Sequence, residues 1–305
     1  PPHAETALPM ELVWLEDFIA LAEHGSFVRA AEARHITQPA FSRRIRSLEQ
    51  WMGVSLFVRT PQGTTLTEAG AHIHTRAFEA TSRLYRLRAE AQEVAGKAAK
   101  TLQFAATHSL SFTFFPRWIR QVESGAPIEA IQLHSDSMLG CEQLLVHGEV
   151  PFLLCHRHPD VPSPLAKEHF DSQQVGNDTL IALMGSSVEG NNATSQLPYL
   201  AYTEASGLGR IVAHRLYGNS EVLALKPQFS SHLAAVLMSM ALEGKGVAWL
   251  PKSLAEQELS DGRLVRALDE QWDIAVQIHL VRPIAPLSVA AESFWMRVSD
   301  QRPSG

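Results

Sequence analysis

Residues 25–70 read GSFVRAAEARHITQPAFSRRIRSLEQWMGVSLFVRTPQGTTLTEAG, and this stretch decides the fold of the N-terminal part of the chain. From Phe41 to Leu48 the apolar residues recur three and four positions apart, which predicts a helix that buries one face. Pro39 falls in the first turn of such a helix, where its missing N–H costs no hydrogen bond. The stretch therefore predicts a helix from about Gln38 to Trp51.

Two shorter helices are expected before this helix, and a hairpin after it. Apolar spacing predicts helices over residues 11–24 and 27–34, and Ser26 and Thr37 are residues that favour helix N-caps. Thr67 is expected to cap a further helix. Two short strands at residues 56–59 and 64–66 would form a small wing. The pattern predicts a winged helix-turn-helix over residues 11–69.

Charge is distributed unevenly along the chain. The whole sequence holds 26 Lys and Arg against 32 Asp and Glu, a formal charge of −6. Between Arg34 and Arg59, however, five basic residues stand against the single acid Glu49. Because salt screens charges beyond roughly 10 Å, a small cationic surface can meet phosphate groups on an otherwise acidic protein. The alternative is an ordinary solvated helix face.

The polar side of the helix at residues 38–51 is the candidate DNA-binding surface. We expect it to enter the major groove, with the wing arginine on the adjacent backbone. Gln can pair with adenine and Arg with guanine, each pair giving about 1–3 kcal/mol of discrimination. Arg34 and Arg44 are expected to face solvent or to position phosphates. The candidate DNA-binding residues are Thr37, Gln38, Pro39, Ser42, Arg43, Arg46 and Arg59.

A long helix is expected from Gly70 to about Gly96. Its apolar and small residues recur at alternating spacings of four and three, which is a heptad pattern. A helix of this length has no partner within its own segment, so the pattern predicts that residues 70–98 link the domains and pair with a second copy. The seam residues are Ile73, Ala77, Ala80, Leu84, Leu87, Ala91 and Val94.

After Lys100, segments with strand character alternate with segments of helical spacing, which is typical of an α/β fold. The predicted strands include residues 102–106, 128–133, 152–155 and 180–184. We expect two subdomains with a cleft between them over residues 101–305. Subdomain I would comprise about 101–170 and 266–305, and subdomain II about 171–265. The whole chain is thus predicted to be an α+β multidomain protein.

The chain lacks features of export, membrane insertion or disulfide bonding. Residues 1–10 contain Glu5 and no cationic segment of a secretion signal, and no run of 18 apolar residues occurs. The two cysteines, Cys141 and Cys155, are too few for a disulfide framework. We therefore expect a cytoplasmic protein with reduced thiols and no membrane partner.

A set of residues at fixed spacings runs through the N-terminal stretch: Gly25-Ser26-Phe27, Ala30-Ala31, Thr37-Gln38-Pro39-Ala40, Phe41-Ser42, Ile45, Leu48-Glu49, Gly53, Leu56-Phe57, Arg59, Leu66-Thr67 and Ala69-Gly70. This set closely resembles the DNA-binding signature of LysR-type transcriptional regulators. Residues 242–251, LEGKGVAWLP, are similar to the effector-domain motif of the same family. The resemblance covers nearly the whole chain. One departure is Arg34, where the family usually has an aliphatic residue.

The resemblance implies a bacterial regulator that binds double-stranded promoter DNA as a dimer or tetramer. It also implies a C-terminal, periplasmic-binding-protein-like domain that senses a small molecule or an oxidant. Binding in the cleft would change the angle between the subdomains and thereby alter promoter binding. Residues 106–111 and 229–251 look most like the subgroup that includes hypochlorite-responsive regulators.

The effector site is expected where loops leave the carboxyl ends of strands and helix N-termini point inward. By resemblance to the family, the loop after the first strand and the helix start near Ser230 line this pocket. Hydroxyl groups at such places also serve as helix N-caps, and His108 can equally be a structural histidine. The candidate effector-binding residues are Thr107, His108, Ser109, Thr203, Phe229, Ser230 and Ser231.

Two other function classes stay open on the residues alone. A two-lobed solute-binding protein would share the architecture of residues 101–305, but it would lack the DNA-binding module. An enzyme would need a catalytic motif, and no nucleophile elbow or nucleotide-binding loop is present. Residues 155–158, CHRH, offer soft metal ligands, yet alternate residues on a strand converge only if further ligands join them. We therefore predict no cofactor, no metal and no catalytic activity.

Overall fold

The computed structural model describes residues 9–60, 63–94, 101–123, 128, 130–165, 167–188, 198–217, 225 and 227–300. The chain divides into two compact units, residues 1–92 and 93–305. Over the described ranges, no helix combines the length and the apolar character that a membrane span requires.

The first unit is a winged helix-turn-helix with a long helix at its C-terminal end. The observed bounds lie within two residues of the predicted ones at most ends. The two strands form an antiparallel hairpin in which Phe57 pairs with Leu66. The elements are α1 (Leu12–His24), α2 (Phe27–Ala33), α3 (Gln38–Met52), β1 (Phe57–Thr60), β2 (Gly63–Leu66) and α4 (Glu68–Val94).

The apolar faces of α1 and α3 meet in the core of this unit. Phe18, Phe41 and Leu48 are completely buried there. Phe27 packs edge-on against Phe41, with ring centroids 6.0 Å apart. Full burial of side chains of this size stabilises a fold by about 1.5–3 kcal/mol each, which outweighs the weak propensities of the individual helices.

The wing is attached to the turn that follows α1. Gly25 ends α1 in the left-handed conformation, with φ +59°. Its carbonyl oxygen accepts a hydrogen bond from the Thr64 backbone N–H at 2.8 Å. Gly63 has φ +137°, and a Cβ placed there would lie 2.7 Å from the Gly25 oxygen. The contact therefore requires glycine at position 63.

The helix N-caps are only partly as predicted. Thr67 caps α4 as expected, because its Oγ1 accepts a hydrogen bond from the Gly70 N–H at 3.0 Å. Ser26 and Thr37 occupy the N-cap positions of α2 and α3, but their side chains make no capping hydrogen bond. For these two residues the predicted position was right and the predicted contact was wrong.

In the described ranges, the second unit is an α/β structure with a seven-stranded and a two-stranded sheet. The order in the large sheet is β10-β6-β11-β5-β3-β4, with β9 also paired to β6, and β7 pairs with β8 in the small sheet. The strands are β3 (Thr101–Thr107), β4 (Ala130–Asp136), β5 (Phe152–Arg157), β6 (Phe170–Gly185), β7 (Tyr199–Tyr202), β8 (Pro227–Ser231), β9 (Ala248–Pro251), β10 (Leu264–Arg266) and β11 (Ile274–Pro283). The helices are α5 (His108–Thr113), α6 (Phe115–Glu123), α7 (Met138–Val146), α8 (Gly207–Tyr217), α9 (Ala234–Leu242), α10 (Lys252–Ser260) and α11 (Val289–Asp300).

The second unit has two lobes, and the long strands β6 and β11 run through both of them. The first lobe, built on β3 to β5 with α5 to α7 and α11, has a core around Phe104 and Phe294. The second lobe, built on β7 to β10 with α8 to α10, has cores around Trp249 and Leu237. Along β11, Val276 belongs to the second core and Ile278 to the first. On β11 the boundary between the two cores therefore lies between Val276 and Ile278, whereas the sequence predicted it near residue 266.

Candidate functional site

The outer side of α3 carries unpaired positive charge. Arg43 and Arg46 are exposed, as are Gln38, Pro39 and the preceding Thr37. Neither arginine has a carboxylate within 4.0 Å among the residues that the structure describes. This arrangement leaves both guanidinium groups available to a partner molecule, as the sequence predicted for this side of the helix.

The wing and α3 contribute to one surface. Arg46 and Arg59 line the same recess, of about 160 Å³, together with Phe27, Ser42 and Thr64. The Arg59 guanidinium lies 5.5 Å from the centre of the Phe27 ring, a cation–π distance that orients the arginine without neutralising it. The positive groups of the helix and the wing therefore lie side by side.

Three residues of this region differ from expectation. Ser42 is buried, with 6% of its surface exposed, and its Oγ accepts a hydrogen bond from Gln38 Nε2 at 2.9 Å. It therefore orients Gln38 instead of projecting outward. Arg34 and Arg44 both form ion pairs with the buried carboxylate of Asp17, and the Arg44 side chain stays 35% exposed.

The predicted seam on α4 divides into a buried and an exposed part. Ala77 is 6% exposed and packs in the core of the first unit, with Ile73 against it. Leu84 and Leu87 are 49% and 61% exposed. The side chain of Val94 lies outside the described residues. Among the described residues of the seam, Leu84 and Leu87 are thus the large apolar side chains left exposed.

In the second unit a small cleft of about 30 Å³ lies between the lobes. The carboxyl ends of the parallel strands β3 and β4 form one wall, and the starts of α8 and α9 face them. The lining combines hydroxyl, imidazole and carboxylate groups with a few apolar side chains. It comprises Thr107, His108, Ser109, Asp136, Ser137, Met138, His156, Ser206, Gly207, Leu208, His232 and Ala234.

Two histidines approach each other in the cleft. The rings of His108 and His232 lie 5.6 Å apart. His108 Nδ1 is 3.1 Å from Ser135 Oγ, which is also 2.9 Å from Ser111 Oγ. Burial lowers the pKa of His108, the Asp136 carboxylate opposes this shift, and His232 adds to it. The cleft therefore favours a neutral imidazole that can donate or accept a hydrogen bond.

One hydroxyl in the cleft has no hydrogen-bond partner within the described parts of the chain. Thr107 Oγ1 is buried, and no donor or acceptor reaches it. An unpaired buried hydroxyl costs about 1–3 kcal/mol, which a bound polar group would recover. Thr107 is thus the clearest hydrogen-bonding position for a ligand.

The structure brings together only part of the predicted effector residues. Thr107, His108 and Ser109 line the cleft, whereas Thr203, Phe229, Ser230 and Ser231 do not. Ser231 Oγ accepts a hydrogen bond from the Leu233 N–H at 3.1 Å, and Phe229 packs against the core of the second lobe. Phe229, Ser230 and Ser231 lie at the end of β8, and the next residue, His232, lines the cleft instead.

The sequence prediction missed several lining residues, namely Asp136, Ser137, Met138, His156 and His232. The sequence could have predicted Asp136, Ser137 and Met138, because β4 is parallel to β3 and its carboxyl end lies at the same edge of the sheet. His156 had no comparable signal, since it lies within a buried strand.

The two cysteines are buried and free. Burial raises the pKa of both Cys141 and Cys155 to about 12, so both thiols stay protonated at neutral pH. A protonated, buried thiol is a poor nucleophile, and neither residue lines the cleft.

Comparisons with known proteins agree with both units. The family model for the bacterial regulatory helix-turn-helix protein, lysR family, matches residues 12–71. The model for the LysR substrate binding domain matches residues 95–302.

Similar proteins cover nearly the whole chain. The HTH-type transcriptional regulator YjiE of Escherichia coli K12 is 30% identical over 95% of both chains. The structure of HypT from Salmonella typhimurium, a hypochlorite-specific LysR-type regulator, is 28% identical with a TM-score of 0.55, covering 96% of this chain and 98% of HypT. Vibrio fischeri DarR in complex with DNA is 26% identical with a TM-score of 0.52, covering 95% of this chain and 99% of DarR. The chain therefore belongs to the LysR family and is a DNA-binding transcriptional regulator with a two-lobed effector-binding domain.

Proposed function

We propose that α3 and the wing bind the major groove of promoter DNA, with Gln38, Arg43 and Arg46 toward base edges and phosphates and Arg59 on the backbone. One observation carries this proposal. Arg43 and Arg46 of α3 and Arg59 of the wing are exposed, and among the described residues none of them has a carboxylate partner. Arg34 and Arg44, which have such partners, are left out. Thr37 and Pro39 contact the backbone at the helix start, and Ser42 acts through Gln38.

The relatives support this proposal. DarR was determined in complex with DNA, and its structure is described as revealing a transcriptional activation mechanism. Groove binding by a helix N-terminal half, flanked by backbone contacts, is the general docking mode of helix-turn-helix proteins.

The DNA proposal is tested with the double variant Arg43→Ala/Arg46→Ala. A bound operator is first obtained by selecting fragments of the host genome with the full-length protein. Fluorescence anisotropy then gives the affinity for that operator at several salt concentrations. Each lost phosphate contact reduces the slope of log K against log salt by about 0.9, and each lost base contact costs about 1–3 kcal/mol.

The control is Arg83→Ala, which removes one exposed charge from α4. We expect this variant to bind like the unchanged protein. Unaltered affinity and salt slope in a folded Arg43→Ala/Arg46→Ala protein would exclude the proposed interface.

We further propose that the cleft between the lobes binds a small polar effector. Thr107 supplies an unsatisfied buried hydroxyl, while His108 and His232 supply imidazole groups from the two opposing walls. A volume of about 30 Å³ holds only a few atoms, so a larger effector requires the lobes to separate. Binding would thereby change the angle between the lobes and alter promoter binding.

An oxidant is the second candidate signal, because HypT is described as hypochlorite-specific. The buried thiols, with a pKa of about 12, argue against cysteine as the responding group. Titrating the purified protein with hypochlorite and locating modified residues by mass spectrometry separates this route from reversible ligand binding.

We propose that the chain dimerises through Leu84 and Leu87 of α4 and assembles further into tetramers on spaced half-sites. The domain limits proposed for these roles are residues 11–69, 70–98 and 101–305. The protein would act in the cytoplasm, where bacterial promoters are found, and without catalytic activity of its own. The winged helix-turn-helix is the feature that a solute-binding protein lacks.

A further inference from the structure

A second cavity, much larger than the cleft, lies beside it in the second unit. We name it the flank cavity. Its volume is about 420 Å³, which is within the range of pockets that bind small molecules. Its walls come from α7, the end of β5, residues 158–164, Lys167, Ser172 of β6, the start of α8 and β11.

The flank cavity has an excess of positive charge. Three cations, Arg157, Lys167 and Arg210, line it together with the single carboxylate of Glu142. Arg210 neutralises Glu142 through two hydrogen bonds of 2.7 and 2.9 Å. Arg157 and Lys167 remain, and neither has a carboxylate within 4.0 Å in the described ranges. Asp160, which is exposed, lies 3.9 Å from His158 at the edge of the cavity.

Arg157 is held in place by neutral groups. Its Nη1 donates to Ser172 Oγ at 3.0 Å, and its Nη2 donates to Ser163 Oγ at 3.1 Å. Its Nε is buried without a hydrogen-bond partner among the described residues. The two serines fix the orientation of the guanidinium but leave its charge uncompensated, which is the arrangement expected for recognition of an anion.

A deeply buried histidine forms part of the same wall. The His156 side chain is only 2% exposed, and neither ring nitrogen has a hydrogen-bond partner within the described parts of the chain. The closest acidic atom, Asp178 Oδ2, is 3.8 Å from Nε2, too far for a hydrogen bond. Buried polar groups are nearly always hydrogen-bonded. In the described parts of the chain His156 has only the long contact to Asp178, so a bound polar group at this wall would complete the hydrogen bonding of its ring.

Apolar side chains complete the flank cavity. Val161, Pro162 and Ile211 are among its lining residues. A ligand that matches these walls has an apolar body and an anionic group. We propose that the flank cavity binds a small organic anion, with Arg157 and Lys167 at its charged end and Val161 and Ile211 along its body.

The flank cavity is connected to the cleft through shared lining residues. Met138, His156 and Gly207 line both spaces. An anion in the flank cavity therefore contacts the side chains that shape the effector cleft, and it bridges α7 of the first lobe and α8 of the second. The flank cavity is thus a second ligand-binding site beside the effector cleft. Binding of an anion there does not depend on the identity of the effector in the cleft.

The test uses 4-fluorophenylacetate as the probe and ¹⁹F NMR of the full-length protein as the readout. The neutral amide 4-fluorophenylacetamide has nearly the same shape and serves as the matched probe. We expect the acid to bind with a dissociation constant in the millimolar range or below, and the amide to bind about tenfold more weakly or not at all.

Variants then locate the probe. Lys167→Glu changes an exposed side chain and Arg157→Gln a half-buried one, and each is expected to weaken binding of the acid about tenfold. His232→Ala alters only the cleft and should leave the affinity unchanged. Circular dichroism shows whether each variant is folded. If Arg157→Gln does not fold, Lys167→Glu alone tests whether the acid binds in the flank cavity.

Three results would overturn the proposal. The first is equal binding of the acid and the amide, and the second is no binding of the acid at all. The third is binding that is lost in His232→Ala but kept in Lys167→Glu, which would place the anion in the cleft.

Discussion

The guanidinium of Arg34 donates a hydrogen bond through Nε to Oδ1 of Asp17 at 2.9 Å, and Asp17 is completely buried. Arg34 also pairs with Glu16, which in turn accepts a hydrogen bond from the Tyr85 hydroxyl. The departure from the family pattern at position 34 is thus compensated by two acids on α1. This ion pair joins α2 to α1 in the first unit.

Replacing Arg34 by Met is expected to destabilise the first unit by about 3–5 kcal/mol, because it leaves a buried carboxylate without its main partner. The contact from Arg44 to Asp17 remains, but at 3.4 Å it is longer than the 2.9 Å bond from Arg34 and offsets only part of the loss. Urea denaturation followed by circular dichroism measures the change. The triple variant Glu16→Gln/Asp17→Leu/Arg34→Met removes the charges of all three side chains and should recover most of the stability, whereas equal instability of the single and triple variants would contradict this explanation.

Gly63→Ala tests the attachment of the wing. A Cβ at this position would lie 2.7 Å from the Gly25 oxygen, and φ +137° is unfavourable for alanine. We expect a loss of about 1–3 kcal/mol from strain and overpacking. Thr65→Ala, on the exposed side of β2, should change the free energy of unfolding by less than about 0.5 kcal/mol. Thermal denaturation of both variants provides the comparison.

The exposed end of the α4 seam predicts the oligomeric state. Leu84→Glu/Leu87→Glu places two like charges on the surface proposed to meet a second copy, so the dimer should dissociate. Sedimentation velocity reports the mass. Thr75→Glu adds a charge on the opposite side of α4 and should leave the assembly intact. A doubly substituted protein that keeps the mass of the unchanged one would place the dimer contact elsewhere.

The stability of the second unit should fall in mild acid because of His279. Burial, with a smaller effect of Arg157, lowers the pKa of His279 from 6.5 to about 4. Between these values the unfolded chain binds a proton that the folded chain does not, so stability is complete above pH 6.5 and is lost as the pH falls toward 4. The loss at pH 4 is about 2–3 kcal/mol.

His279→Gln isolates this effect, because glutamine does not titrate and can still contact Gln277, which lies 3.0 Å from Nε2. Urea denaturation at pH 7 and at pH 4.5 should show a smaller difference for the variant. An identical pH dependence in the two proteins would assign the acid sensitivity to other groups.

Local patterns accounted for most of the first unit. The spacing of Phe41 and Leu48, the glycine after α1 and the hairpin residues act over a few positions, so the sequence alone predicts α1, α2, α3 and the wing. The pairing of Arg34 with Asp17 joins residues 17 positions apart. No local pattern identifies such a partner, and Arg34 and Arg44 were for this reason expected to face solvent or to position phosphates.

The second unit was less predictable. The strand β6 runs over 16 residues, but only its last part, near Leu180 to Met184, was predicted. Its earlier part contains Gln173, Asn177 and Asp178, a composition typical of loops. These residues are part of the strand because they pair with β11. Similarly, His156 and His232 reach the cleft because of the tertiary fold. No pattern in the sequence next to either residue predicts that position.

The pairing of β6 with β11 constrains how the lobes can move. These two strands cross from one lobe to the other as a continuous hydrogen-bonded ribbon, and the register shifts once, between Ile278 and His279. Such a ribbon resists sliding of one strand along the other, and it bends most easily at the register shift. We therefore expect ligand-driven movement of the lobes to be a small rotation centred near Ile278 and His279.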